Sequence, residues 1–212
     1  MKRLQNGSAN DLHPVILKPQ DVALVLKILA KKINQTQSIR ERGRRDEDQS
    51  LSRRNWTLSQ LAEETCLSIG EIHNSLRRLR AVRFLDSEDG RLRPHALEEF
   101  LLHGVQYVFP AARGAIARGI PTAFSAPMLK NKFLSSGQES LVWPHIQGTV
   151  RGIASSPLYA AAPDAALLDP IYYELLALTD ALRGDSRARE RAEAAALLRA
   201  YIHSNEERDL HD

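Results

Sequence analysis

The 212-residue sequence predicts a mainly α fold with a small β wing, and three observations predict it. Apolar residues recur at helical spacing near 22–33, within 58–79 and again over 171–202. The stretch 56–85, WTLSQLAEETCLSIGEIHNSLRRLRAVRFL, reads as two short helices joined by a tight turn. Directly after the helices, VRFLD, SEDG and RLRP read as strand, turn and strand, with Asp89-Gly90 a strong hairpin signal.

Composition sets the class. A hydrophobic fraction of 43% is near that of ordinary globular proteins, so a packed core is expected. The formal net charge of +3 and pI of about 9.1 permit nucleic-acid binding without requiring it. What matters for phosphate is where the charge sits. A single cysteine, Cys66, allows no intrachain disulfide and no CxxC zinc pair, which fits a reducing compartment. No apolar run approaches the roughly 18 to 20 residues that span a bilayer. The N-terminal MKRLQNGSANDLHP has no apolar core of the secretory kind. A cytoplasmic chain with no membrane partner is the expectation.

Residues 1–17 are expected to form a loose polar arm. A helix should begin at Pro19, which suits a first helical turn, with Asp21 near the positive end of the dipole. Val22, Val25, Leu26, Leu29 and Ile33 give it one apolar face. Residues 34–55 have almost no apolar content and are expected as a long polar connection. A second reading lays Arg42, Arg44, Arg45, Arg53 and Arg54 along a DNA backbone, against the interleaved Glu41, Asp46, Glu47 and Asp48.

Within the central stretch Thr57 is a good N-cap for a helix ending near Thr65, with Leu58, Leu61 and Ala62 inward. Cys66, expected in the core, and Leu67 form the turn. Ser68 caps the next helix, and Glu71 stands three residues on, as a capping box requires. Ile69, Ile72, Leu76 and Leu79 fall on one face of that helix, and Glu71, His73, Asn74, Arg77 and Arg78 on the other. Asn can bond adenine and Arg guanine through paired hydrogen bonds, while Ser and His can reach phosphate or base. A helix pair followed by a basic hairpin is the winged helix-turn-helix order, and Arg83, Arg91 and Arg93 would carry the wing to the DNA.

Leu61-Ala62, Leu67-Ser68, and then Ile72, Leu76 and Leu79 resemble the helix-turn-helix core of winged-helix bacterial transcription regulators of the MarR-like kind. The resemblance covers about residues 18–94, less than half of the chain. It implies a DNA-binding fold, a recognition helix at about 68–80 and a homodimer on a palindromic operator. The long connection at 34–55 departs from the family pattern, and the C-terminal half has no counterpart in it.

The unit is expected to run over 18–109, closing with a helix that starts after Pro94 and packs on the wing. His95 and His103 lack metal-ligand spacing, so no metal is expected. Residues 110–212 should form a regulatory or dimerisation region. Proline and glycine interrupt 110–163 repeatedly, predicting irregular backbone with short strands at LVWP and TVRGIA. One reading makes it a pocket or partner groove in which Arg113, Arg118 or Arg151 meets an anion beside Trp143. The favoured reading makes it a loop-rich cover with its aromatics as a small core. Asp169-Pro170 opens a C-terminal helical hairpin with a break at Gly184.

No phosphate loop, HExxH or GxSxG is present in the sequence, and no enzyme or cofactor is expected. The leading expectation is a sequence-specific regulator of transcription bound to double-stranded DNA, with a protein or small-molecule effector open. The alternative is a winged-helix protein-interaction module, antitoxin-like or adaptor, whose partner binds residues 110–163.

Overall fold

The computed structural model describes residues 14–42, 56–130 and 139–204. It is mainly helical with a small three-stranded sheet. Helix α1 (Pro19–Arg42) starts where Pro19 predicts, and Asp21 Oδ2 accepts the Lys18 N–H at 2.8 Å. It does not stop near residue 33. Gln35, Gln37, Arg40, Glu41 and Arg42 are good helix formers, and the first strong breaker in the sequence is Gly43. Polarity alone does not end a helix, so the first part of the expected connection is helical. Residues 22–30 are buried all round, not on one face. Such a helix is covered on two sides.

Helix α2 (Leu58–Thr65) and helix α3 (Ile69–Ala81) pack against α1 from one side. Thr57 and Ser68 cap them as expected, Ser68 in the expected capping box with Glu71, and Thr57 in a second, unexpected box with Gln60. Cys66 caps α2 with φ 55° and is exposed, not core. The expected hairpin after α3 is reduced to a loop closed by one bridge, Leu85 to Leu92. Asp86 and Asp89 explain this, since their carboxylates take the N–H groups of Glu88 and Arg91 at 2.9 and 2.8 Å. Such local bonds compete with a strand ladder.

Helix α4 (Pro94–Glu99) runs through a π-turn at Phe100–Gly104 into helix α5 (Val105–Val108). Strand β1 (Arg113–Pro121) follows, then a short 3₁₀ turn at Ala123–Ser125 and helix α6 (Pro127–Lys130). Strands β2 (Leu141–Pro144) and β3 (Val150–Ser155) match the two expected segments. β1 pairs antiparallel with both, and β2 and β3 pair in parallel, so the sheet closes on itself. Closure at three strands forces backbones together. A Cβ on Gly119 would lie 1.9 Å from the Trp143 carbonyl oxygen, and one on Gly152 would lie 2.2 Å from that of Ser140.

Helix α7 (Ala162–Leu168), helix α8 (Pro170–Arg183) and helix α9 (Ala188–His203) complete the chain. Asp169 caps α8 by accepting the N–H groups of Ile171 and Tyr172, and Gly184 ends it as expected. From Leu175 to Arg183 every α8 residue is buried. It is the hub, touching α1, α5, α7 and α9. One core runs from Val22 through Leu79 to Leu198, continuous across the boundary expected near residue 109. Among the described residues, no helix is long and apolar enough to cross a membrane.

Candidate nucleic-acid interface

The candidate interface is built on α3. Ile72, Ser75, Leu76 and Leu79 face the core, while Gly70, Glu71, His73, Asn74 and Arg77 are exposed. The split follows the 3.6-residue period, with one exception. Ile69, expected inside, is 53% exposed, because the first turn of α3 projects past the body that covers the later turns.

Capping occupies two of the predicted contacts. Ser68 Oγ accepts the Glu71 N–H at 3.2 Å and donates to Glu71 Oε2 at 3.0 Å, and the Ser68 N–H donates to the same Oε2 at 3.1 Å. Those bonds, from the Ser68 backbone first and its hydroxyl second, hold Glu71 below its ordinary value. Ser68 and Glu71 therefore fix the start of α3, and the Glu71 carboxylate stays ionised beside it.

Arg78 also leaves the exposed face. Its guanidinium reaches across to Asp21 at the start of α1, Nε to Oδ2 at 2.7 Å and Nη2 to Oδ1 at 2.6 Å. It donates a third bond to Ser75 Oγ at 3.1 Å. Asp21 is fully buried, so this is an interior ion pair that sets the angle between α1 and α3. At residue 78 the helical period places the side chain at the edge of the inward face, where a long stem can turn in.

Three residues of the loop after α3 complete the predicted set. Arg83 is exposed with φ 63°, a left-handed conformation uncommon for a side chain of its size. Arg91 pairs with Asp89 at 2.8 Å and Arg93 with Asp86 at 2.7 Å. Both pairs are exposed, and such pairs are weak enough to open for a phosphate. His73, Asn74, Arg77 and Arg83 are thus exposed, while Arg91 and Arg93 are held in ion pairs. Arg44, Arg45, Arg53 and Arg54 lie outside the described residues, and Arg42 ends α1.

The residues proposed for a central pocket do not converge. Trp143 is fully buried, with Nε1 donating to Asp180 Oδ2 at 2.6 Å. It is core, packed between the sheet and α8, with the Tyr173 ring 5.9 Å from its own. Arg118 and Arg151 face each other across β1 and β3 on the outer side, and Arg118 donates to the Gly148 carbonyl at 2.6 Å. Arg113 donates to the Asp185 carbonyl at 2.7 Å.

Sequence reasoning missed a polar cleft of about 650 Å³, lined by Lys27, Lys31, Asn34, Glu64 and Asp169 among others. Lys27 Nζ lies 2.8 Å from Asp169 and 3.0 Å from Glu64, and Lys31 lies 2.7 Å from Glu64. A lysine at the centre of the apolar run 22–30 was the available signal. A buried tyrosine chain lies nearby. Tyr159 donates to the Thr65 carbonyl at 2.8 Å and stands 3.3 Å from the Tyr172 hydroxyl, which donates to the Ala23 carbonyl at 3.1 Å. Burial pushes both phenols well up, so they stay neutral donors.

No protein-family model matches this chain, and comparison with curated proteins and with solved structures likewise gives no match.

Proposed function

We propose that this chain is a sequence-specific DNA-binding regulator of transcription, a winged helix-turn-helix of the MarR-like kind, with α3 entering the major groove. The supporting observation is the exposed trio of His73, Asn74 and Arg77 on a helix whose other side is anchored by Ile72, Leu76, Leu79 and the Arg78–Asp21 pair. A reading helix must be rigid behind and polar in front, and Asn and Arg are the side chains that make paired bonds to adenine and guanine. Arg83 and the loop to Arg93 would position the unit on phosphates. A homodimer would present two such helices to a palindromic site.

The test is a gel shift at fixed salt on DNA selected from a random pool. Asn74→Ala and Arg77→Ala should each lose about 1–3 kcal/mol of specific binding while unfolding as the wild type does. Unchanged affinity in both variants refutes the reading.

A second reading, a protein-interaction module using residues 110–163, has its own support. Ile146 at the turn between β2 and β3 is 91% exposed and Ile116 on β1 is 55% exposed. Absence of any salt-dependent DNA binding, together with a partner lost on Ile146→Asp, would favour it.

A further inference from the structure

The last turn of α9 lies against the first turns of α4. His95 and Glu98 stand three residues apart on α4, so both side chains leave the same helix face. His203 closes α9, and its Nε2 lies 2.5 Å from Glu98 Oε2. The rings of His95 and His203 are 5.2 Å apart between centroids, tilted by 44°. One donor atom from each of the three residues falls within 4.8 Å of the others.

We propose that His95, Glu98 and His203 form a site for a divalent zinc-class metal ion that staples α4 to the end of α9. Two imidazoles and one carboxylate are the donor set that zinc takes, leaving a position open to water. A tetrahedral zinc with bonds of about 2.0–2.1 Å holds its ligand atoms roughly 3.3 Å apart. The three donor atoms already stand within 4.8 Å of one another, so closing on an ion asks each to move by roughly an ångström. His95 is exposed and Glu98 and His203 are partly covered, so an ion can enter from solvent.

The competing arrangement is an ion cluster without metal, in which Arg199 Nε donates to Glu98 Oε1 at 2.8 Å and His203 to the other oxygen. The two differ in what Arg199 does. In a metal site it is a rival cation, and removing it tightens metal binding. This inference stands apart from the DNA reading, since it uses no residue of α3.

Zinc chloride titrated into the full, tag-free chain by calorimetry decides the matter, with cobalt absorption as the geometric readout. The expected result is one ion per chain and a tetrahedral cobalt spectrum. His95→Ala and His203→Ala should each weaken binding by about tenfold or more. Arg199→Ala should strengthen it, and His103→Ala and His145→Ala should leave it unchanged. Should His203→Ala unfold, the exposed His95→Ala carries the same test, with circular dichroism as the check on fold. Binding that is absent, or that survives His95→Ala unchanged, overturns the site. So does an equal loss in the His103 or His145 control.

Discussion

Arg78 on α3 holds Asp21 on α1 through two parallel hydrogen bonds of 2.6 and 2.7 Å, and the carboxylate it holds has no solvent exposure. A forked guanidinium facing a carboxylate in this way fixes direction as well as distance. The pair therefore aims α3, and the residues that would read DNA inherit that aim. Arg78→Ala strands Asp21 in the interior with the Lys18 N–H as its remaining described hydrogen bond. The expected loss is about 3–5 kcal/mol of stability, the usual result of breaking a buried pair from one side. Urea unfolding measures it, and a variant within about 1 kcal/mol of wild type would show that the pair is dispensable.

Arg77, its neighbour in sequence, should behave in the opposite way. Its side chain is exposed, so Arg77→Ala should change stability by less than about 0.5 kcal/mol. If it meets a phosphate as well as a base, the slope of log affinity against log salt should fall by about one. Gel shifts at several salt concentrations separate the two arginines. Equal behaviour of both variants would contradict the division of labour on α3.

Asp180 is the second interior knot. Its Oδ2 accepts from Trp143 Nε1 at 2.6 Å and Thr122 Oγ1 at 2.9 Å, and its Oδ1 accepts from Arg183 Nε at 2.7 Å. Arg183 goes on to donate to the carbonyls of Phe109 and Ser156. One carboxylate thus joins the closed sheet to α8 and to the end of α5. Asp180→Ala leaves a buried guanidinium without its anion, and about 3–5 kcal/mol should be lost. Trp143→Phe keeps most of the packing and removes one donor, for about 1–2 kcal/mol. Denaturant midpoints should rank the two variants in that order.

The starts of the main helices and several caps were legible in the sequence because each is a local matter, whereas the run of α1 on to Arg42 and the helix Ala162–Leu168 were not. Thr57, Ser68 with Glu71, Pro19 and Gly184 act within one turn of the chain, and the structure has them in those roles. Side-chain destinations were less so. Arg78 reads as a face residue until Asp21, 57 positions away, is known to lie beneath it. β1 carries Gly114, Ala115, Ala117 and Gly119, with no alternation to mark a strand, because a three-stranded closed sheet needs small residues where backbones nearly touch. Trp143 is core, as the favoured reading of 110–163 has it, but its partner Asp180, which it shares with Thr122, comes from another element and leaves no mark beside it in the sequence. Glu98 acquires His203 across 105 residues, which no spacing rule can find.

The pH dependence of stability should report the cluster at Lys27. Burial alone would raise Asp169. The hydrogen bond and charge of Lys27, the Tyr172 N–H and the Asn34 amide together outweigh it and hold Asp169 below its ordinary 3.8. Glu64 follows the same pattern against an ordinary 4.5, with Lys31 and Lys27 outweighing its burial. A carboxylate whose value is lowered by folding contributes stability that is complete above its unfolded value and lost as pH falls through the lower folded one. The chain should therefore keep its stability down to about pH 4.5 and lose it on further acidification. Asp169→Asn tests this cleanly. Asparagine still caps α8 and still accepts a bond from Lys27, so the fold persists. The charge is gone, which should cost about 1–3 kcal/mol at neutral pH. That deficit should shrink on acidification, as wild-type Asp169 itself becomes neutral. Unfolding free energies at about pH 7 and about pH 3 measure the two gaps. A deficit of equal size at both would mean that Asp169 contributes through geometry and not through its charge.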